Sequence, residues 1–175
     1  MIFRYLIVFS MICLPSACLT AQQDRAVYEY EIDANVDSVW KAFSTAEGLK
    51  TWMAPLADID LKIGGKMRSN YNAEGRLGDE TTIESTILSF DPRKMISLKA
   101  TKYPKGFPFE NAAKSTWSVF YFTEITPART KITVVGLGYT DDEDSQKMRS
   151  FFEAANKQVL DELSAALTKG KTDGN

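Results

Sequence analysis

The side chains best suited to form a site in this sequence are aromatic and sulfur-containing residues, which bind ligands by contact. The set is Trp52, Met53, Met67, Tyr71, Phe107, Phe109, Trp117 and Phe152. Small-molecule pockets are lined mostly by such apolar side chains, with a few polar groups that orient the ligand. The same residue types also build hydrophobic cores, and core packing is the commoner role at any single position. The set therefore predicts a pocket for a small apolar or amphipathic molecule, with an ordinary core as the alternative.

Two of these aromatic residues belong to a predicted loop. Phe107 and Phe109 stand among prolines and a glycine in the segment 104–109. Large apolar side chains in a loop are costly to expose, so we expect these two to cover the mouth of a cavity. A surface for a partner protein is the alternative. Trp117 lies instead within a predicted strand, 115–125, where its apolar neighbours predict a packed core position.

The absence of histidine narrows the possible chemistry. It excludes a Ser-His-Asp triad, a Cys-His pair and any histidine metal site. Carboxylates, tyrosines and lysines remain as possible acids and bases, but they form no spaced motif. The charged residues Glu74, Arg76, Asp79 and Glu80 lie near a predicted hairpin tip, where a solvated turn is a better interpretation than an acid–base site. We therefore assign no catalytic residue, no metal site and no cofactor, although enzyme activity stays open.

Residues 1–21 have the layout of a secretory signal peptide. Arg4 precedes an apolar run at 6–14, and small residues lead to a predicted cleavage after Ala21. The run is too short for a typical bilayer span, so no integral membrane span is expected after cleavage. We expect a periplasmic or secreted protein. A lipid anchor on Cys18, an uncleaved anchor and a buried N-terminal strand are the alternatives.

The rest of the chain predicts one domain of the α+β class, at 22–169, followed by a disordered tail at 170–175. The predicted order is a strand (26–32), two short helices (36–43 and 44–52), six strands (57–63, 66–71, 81–90, 95–103, 115–125 and 130–139) and a long helix (142–169). Short turns between successive strands predict an antiparallel meander, and a twisted sheet of that size curls. The long helix repeats apolar residues at steps of three and four, which gives it one apolar face. We therefore expect a helix-grip fold, in which the curved sheet wraps around this helix.

The ends of the long helix are predicted from their polar and glycine residues. The segment 140–143, with threonine first and glutamate last, has the pattern of a capping box, in which the threonine hydroxyl accepts a free backbone N–H. Gly170 offers a stop at the other end.

Three segments in this order resemble the START-like SRPBCC superfamily: VDSVWKAF at 36–43, LKTWMAP at 49–55 and GGKMR at 64–68. The branch that they resemble most is related to the C-terminal domain of the activator of Hsp90 ATPase, and the likeness spans about residues 26–167. Met53 stands where that family often has a second tryptophan. The resemblance implies a cavity between sheet and long helix, in which relatives bind lipids, hormones or polyketide-like molecules. Some relatives are cyclases or dehydratases.

Three functional hypotheses follow. The first is an exported protein that binds a small apolar or amphipathic molecule, and the second is a cofactor-free cyclase or dehydratase that uses a glutamate or tyrosine in the same cavity. The third is an interaction domain whose cavity is filled by its own side chains. The absence of histidine and of paired carboxylates favours binding, whereas a buried carboxylate facing the cavity would favour the enzyme.

The expected partners follow from charge and location. A net charge of −2 without a basic run argues against a nucleic-acid partner. Hsp90 is not expected as a partner, because an exported protein would not meet a cytosolic chaperone.

Overall fold

The computed structural model describes residues 25–172, and their side chains through residue 168. The predicted signal peptide (1–21) and the end of the predicted tail (173–175) lie outside the described residues. Between residues 25 and 172, no helix is long and apolar enough to cross a membrane.

The described part of the chain contains one sheet and four helices. The strands are β1 (Arg25–Ile32), β2 (Leu56–Ile59), β3 (Lys66–Asn70), β4 (Ile83–Asp91), β5 (Met95–Lys102), β6 (Trp117–Thr126) and β7 (Arg129–Leu137). The helices are α1 (Val36–Ser44), α2 (Ala46–Lys50), α3 (Glu110–Ala113) and α4 (Glu143–Thr172). All neighbouring strands pair antiparallel, in the order β1-β7-β6-β5-β4-β3-β2. The predicted α+β helix-grip fold is confirmed, and the single turn of α3 is an addition.

Polar caps begin the two short helices after β1. The side chain of Asn35 accepts the Ser38 N–H at 2.8 Å, and the Thr45 hydroxyl accepts the Gly48 N–H at 3.0 Å. These bonds satisfy N–H groups that have no partner inside a helix. Since β1 and β2 are opposite edges of the sheet, α1 and α2 carry the chain from one edge to the other.

Helix α4 begins and ends differently from the prediction. Its cap is Asp142, whose carboxylate accepts the Ser145 N–H at 2.9 Å and the Thr140 hydroxyl. Thr140 was predicted in that role, but a charged carboxylate directly before the helix is the stronger acceptor. At the other end the helix passes Gly170 and reaches Thr172. One glycine inside a helix costs only about 1 kcal/mol, so it need not end the helix.

Large aromatic side chains fill the inner face of the sheet where α1 lies. Phe43 of α1 is 1% exposed, and its ring centroid lies 4.6 Å from Trp52, 5.5 Å from Phe120 and 4.9 Å from Phe122. Ile132, from the neighbouring strand β7, is fully buried in the same cluster. Burial of one such side chain stabilises a fold by about 1.5–3 kcal/mol. This half of the sheet is therefore a packed core.

The charged group near the predicted hairpin tip holds a loop in place. The Asp79 carboxylate accepts the backbone N–H groups of Arg76 at 3.0 Å and Thr81 at 2.9 Å, and the buried Asn70 amide at 3.0 Å. The hydrogen bond from Arg76, followed by those from Thr81 and Thr82, holds the pKa of Asp79 well below its usual range. These contacts explain the charged cluster as a structural turn between β3 and β4.

Candidate ligand-binding cavity

A cavity of about 520 Å³ lies between the sheet and the first half of α4. Strands β1 and β3–β7 contribute to its walls, together with the segment around α3. Along α4 the lining runs from Arg149 to Leu160. The cavity thus occupies the part of the inner face that the α1 core leaves open.

Small residues on the inner face of the sheet explain why this space is open. Ala26 of β1, Gly136 of β7 and Ser118 of β6 pair side by side across three strands. Ala100 of β5 pairs with Ser85 of β4 in the same way, and all five residues line the cavity. Side chains no larger than serine are too short to reach α4, which contacts larger side chains at the packed end. The pairing register of the strands therefore brings these small residues together and so forms the floor of the cavity.

Seven of the eight residues predicted from the sequence line this cavity, and one does not. The seven are Trp52, Met53, Met67, Tyr71, Phe107, Trp117 and Phe152. They come from separate elements that the fold brings together around one space. Tyr71 is 60% exposed and lies at the rim, whereas Trp52 and Met67 are buried. Their role in binding a ligand stays a prediction.

Phe109 packs beside the cavity without lining it. Its ring lies 5.8 Å from Phe107 and 5.9 Å from Phe151. The Phe107 ring stacks on Tyr103, with 5.1 Å between the ring centroids, and its centroid lies 6.2 Å from that of Phe152. The two loop aromatics are therefore partly buried in a cluster against α4, and this cluster closes one end of the cavity. Only Phe107 reaches the cavity, because Phe109 lies behind it.

The structure overturns the expectation that Trp117 is a packed core residue. It is the first residue of β6 and is 36% exposed. Side chains alternate along a strand, and Ser118 and Phe120 are the ones that point to the inner face. Trp117 lies against Gly138, where an added Cβ would come within 3.2 Å of the indole ring. It therefore borders the cavity at the first residue of β6, outside the packed core.

The cavity also contains a few polar groups that sequence reasoning missed. The Tyr28 hydroxyl donates to the backbone carbonyl of Glu153 at 2.7 Å. Burial raises the pKa of Tyr28, and the Glu153 carboxylate raises it further, so this phenol stays protonated at neutral pH. Arg149 and Asn156 also line the cavity. Their seven-residue spacing on α4 places both on the face of Phe152, which is the signal that would have identified them.

Carboxylates are scarce among the described residues that line the cavity. Among residues 25–172, no three His, Cys, Asp or Glu residues lie close enough to hold a metal ion. Glu153 is the one carboxylate among the described lining residues, and it is exposed. What the cavity offers is an apolar surface with a few hydrogen-bonding groups.

Solved structures of other proteins share this fold. Protein MLL2253 from Mesorhizobium loti is 16% identical, with a TM-score of 0.65 over 83% of this chain and 97% of that one. CalU16 from Micromonospora echinospora is 16% identical, with a TM-score of 0.59 over 85% and 79%. An Hsp90 activator from Plasmodium falciparum is 15% identical, with a TM-score of 0.58 over 83% and 96%. Identities this low establish the common fold alone.

The family of the chain follows from its sequence profile. A comparison with curated protein sequences found no match. A family profile, described as Activator of Hsp90 ATPase homolog 1-like protein, matches residues 33–168, which is most of the chain and includes α1 to α3, most of α4 and all strands after β1. The chain therefore belongs to the family of activator of Hsp90 ATPase homolog 1-like proteins, within the SRPBCC superfamily.

Proposed function

We propose that this protein binds a small apolar or amphipathic molecule in the cavity between the sheet and α4. The observation that carries the proposal is an open cavity of about 520 Å³ with mostly apolar walls. This volume lies within the range of about 300–1,000 Å³ that is typical of sites for small ligands. The size of the cavity also argues against the alternative in which the protein's own side chains fill it.

Catalysis has less support than binding. A general acid or base in the cavity needs a pKa close to the working pH. Burial raises the pKa of two lining tyrosines, Tyr28 and Tyr139, further away from neutrality. The one carboxylate among the described lining residues, Glu153, is exposed to solvent rather than enclosed in the cavity. The cavity is therefore better suited to bind and release a molecule than to convert it into a product.

Native mass spectrometry of the protein purified from its host tests this proposal. We expect a small molecule that stays bound under gentle conditions and is released on denaturation. A titration with the neutral fluorescent probe N-phenylnaphthylamine complements it, because the probe becomes bright in an apolar site. A protein that retains no molecule and leaves the probe dark would contradict a binding function.

We also propose that the protein is exported, on the basis of the signal-like sequence 1–21 alone. N-terminal sequencing of the protein from the periplasmic or secreted fraction should begin near Gln22. An acyl group on Cys18 would identify a lipoprotein instead. Cytosolic protein with an intact Met1 as its sole form would rule out export.

A further inference from the structure

We propose that the molecule bound in the cavity is an amphipathic acid whose carboxylate is held by Arg149 and the Tyr139 hydroxyl. This inference rests on the proposed binding function and specifies the chemical class of the ligand. It follows from unused hydrogen-bonding capacity at the start of α4 and from the change to an apolar wall further along the same helix.

Arg149 lines the cavity as a partly buried cation without a counterion among the described residues. Its guanidinium donates to the backbone carbonyl of Arg25 at 3.2 Å, and it forms no ion pair with a carboxylate of the described chain. A guanidinium has five N–H donors in a planar fork, so most of them stay available. A cation removed from water is costly when unpaired, and a carboxylate fits this fork with two parallel hydrogen bonds. An acidic ligand would supply the missing partner.

Tyr139 adds a second donor at the same place. Its side chain lies over Gly136, where an added Cβ would come within 2.9 Å of the ring. Tyr139 is 7% exposed, and its hydroxyl forms no hydrogen bond within the described part of the chain. In that part of the chain, every fully buried polar side-chain atom has a hydrogen-bond partner. The Tyr139 hydroxyl has none, so it must be accessible, and Tyr139 is one of the residues that line the cavity.

The protonation state of Tyr139 suits a donor. Burial raises the pKa of Tyr139, while the nearby charge of Arg149 opposes that rise. The phenol therefore keeps its proton at neutral pH and can donate it to a carboxylate. Both side chains lie over the paired strands β1 and β7: Arg149 bonds the carbonyl of Arg25, and Tyr139 covers Gly136, which pairs with Ala26.

The walls change character along α4 in the way that an amphipathic ligand requires. Arg149 lies near the start of the helix, and Val159 and Leu160 line the cavity about 15 Å further along. Val159 and Leu160 pack with the main core, among apolar side chains such as Met53. A ligand whose carboxylate binds Arg149 would place its apolar tail against Val159 and Leu160.

Glu153 is the lining charge that works against an acid. It lies one helical turn from Arg149, is exposed, and forms no ion pair with it or with any described cation. Its carboxylate would repel an anionic group, so Arg149 and Glu153 should affect acid binding in opposite directions. This opposition distinguishes charge recognition from general damage to the cavity.

Displacement of N-phenylnaphthylamine by dodecanoate and by dodecanol measures the contribution of the carboxylate. We expect dodecanoate to bind the unmodified protein more tightly than dodecanol. Arg149→Gln should weaken dodecanoate about tenfold and leave dodecanol unchanged, as expected for the loss of a charge-assisted pair. Glu153→Gln should strengthen dodecanoate alone. Arg76 is another arginine that forms no ion pair with the residues that the structure describes, and it lies away from the cavity, so Arg76→Gln should change neither affinity.

The outcomes separate this inference from the proposed function. Equal affinity for acid and alcohol in the unmodified protein, or equal weakening of both by Arg149→Gln, would overturn the acid while leaving the cavity as a binding site. A protein that binds neither the probe nor either amphiphile would overturn both. If Arg149→Gln does not fold, Tyr139→Phe keeps the ring on Gly136, and it should weaken dodecanoate alone by a few fold; an unchanged affinity would count against the inference.

Discussion

Replacement of Phe43 by alanine is expected to lower the free energy of unfolding by about 3–5 kcal/mol. Phe43 is 1% exposed and lies against the rings of Trp52, Phe120 and Phe122. Its removal would leave a cavity where α1 joins the sheet, and the surrounding rings can relax only partly into it. Because a typical domain is stable by about 5–15 kcal/mol, this single change would remove a large share of the total.

Urea unfolding of the two aromatic variants Phe43→Ala and Trp117→Ala checks this prediction. Trp117 is the matched control, since it is also a large aromatic residue but is 36% exposed at the start of β6. Its truncation should cost about 1 kcal/mol or less, as is usual for substitutions near the surface. If both variants lose the same free energy, the core does not lie on the α1 side of β6.

Replacement of Ser118 by phenylalanine is expected to weaken binding of N-phenylnaphthylamine more than tenfold while the fold remains stable. Ser118 lies on the cavity floor, where it pairs with Leu98 on one side and Gly136 on the other. A phenyl ring at this position would occupy the space that the probe requires. Added side-chain volume costs about 1–3 kcal/mol in a filled core, and the open cavity avoids most of that strain.

The matched control for this variant is Thr123→Phe on the same strand. Thr123 is exposed and stands an odd number of residues from Ser118, so alternation places it on the outer face of the sheet. Probe affinity should be unchanged in this control, and the urea midpoints of both variants should stay close to that of the unmodified protein. Normal probe binding by Ser118→Phe would show that the probe site lies elsewhere.

The β6 strand shows why part of the candidate site escaped prediction. One face of the strand carries Trp117, Val119 and Tyr121, and the other carries Phe120 and Phe122. A period of two assigns each residue to a face, but with apolar residues on both faces it cannot say which one is covered. The packing of α1 on the even-numbered face decides this, through the contacts of Phe43. Trp117 is consequently exposed, although the next residues on its own face of the strand, Val119 and Tyr121, are also apolar.

The loop aromatics show a similar limit. The composition of 104–109 correctly indicated that its two phenylalanines cover something, because exposed phenylalanines in a loop are costly. Which of them reaches the cavity depends on how the loop lies against Phe151 and Phe152 of α4. That contact joins residues far apart in the chain, and no local pattern contains it.

The sequence by itself determined the fold class, the order of the strands and helices, and the kinds of chemistry that a chain without histidine excludes. These properties depend on local periodicity and composition, which are read along the chain. The tertiary structure decided where the cavity lies, because strand register sets Ala26, Gly136 and Ser118 side by side and leaves space beneath α4. It also decided that Arg149 and Tyr139 both line that space over the paired strands β1 and β7. Periodicity specifies which residues share a face of one element, whereas the neighbours across that face are set only when the elements pack.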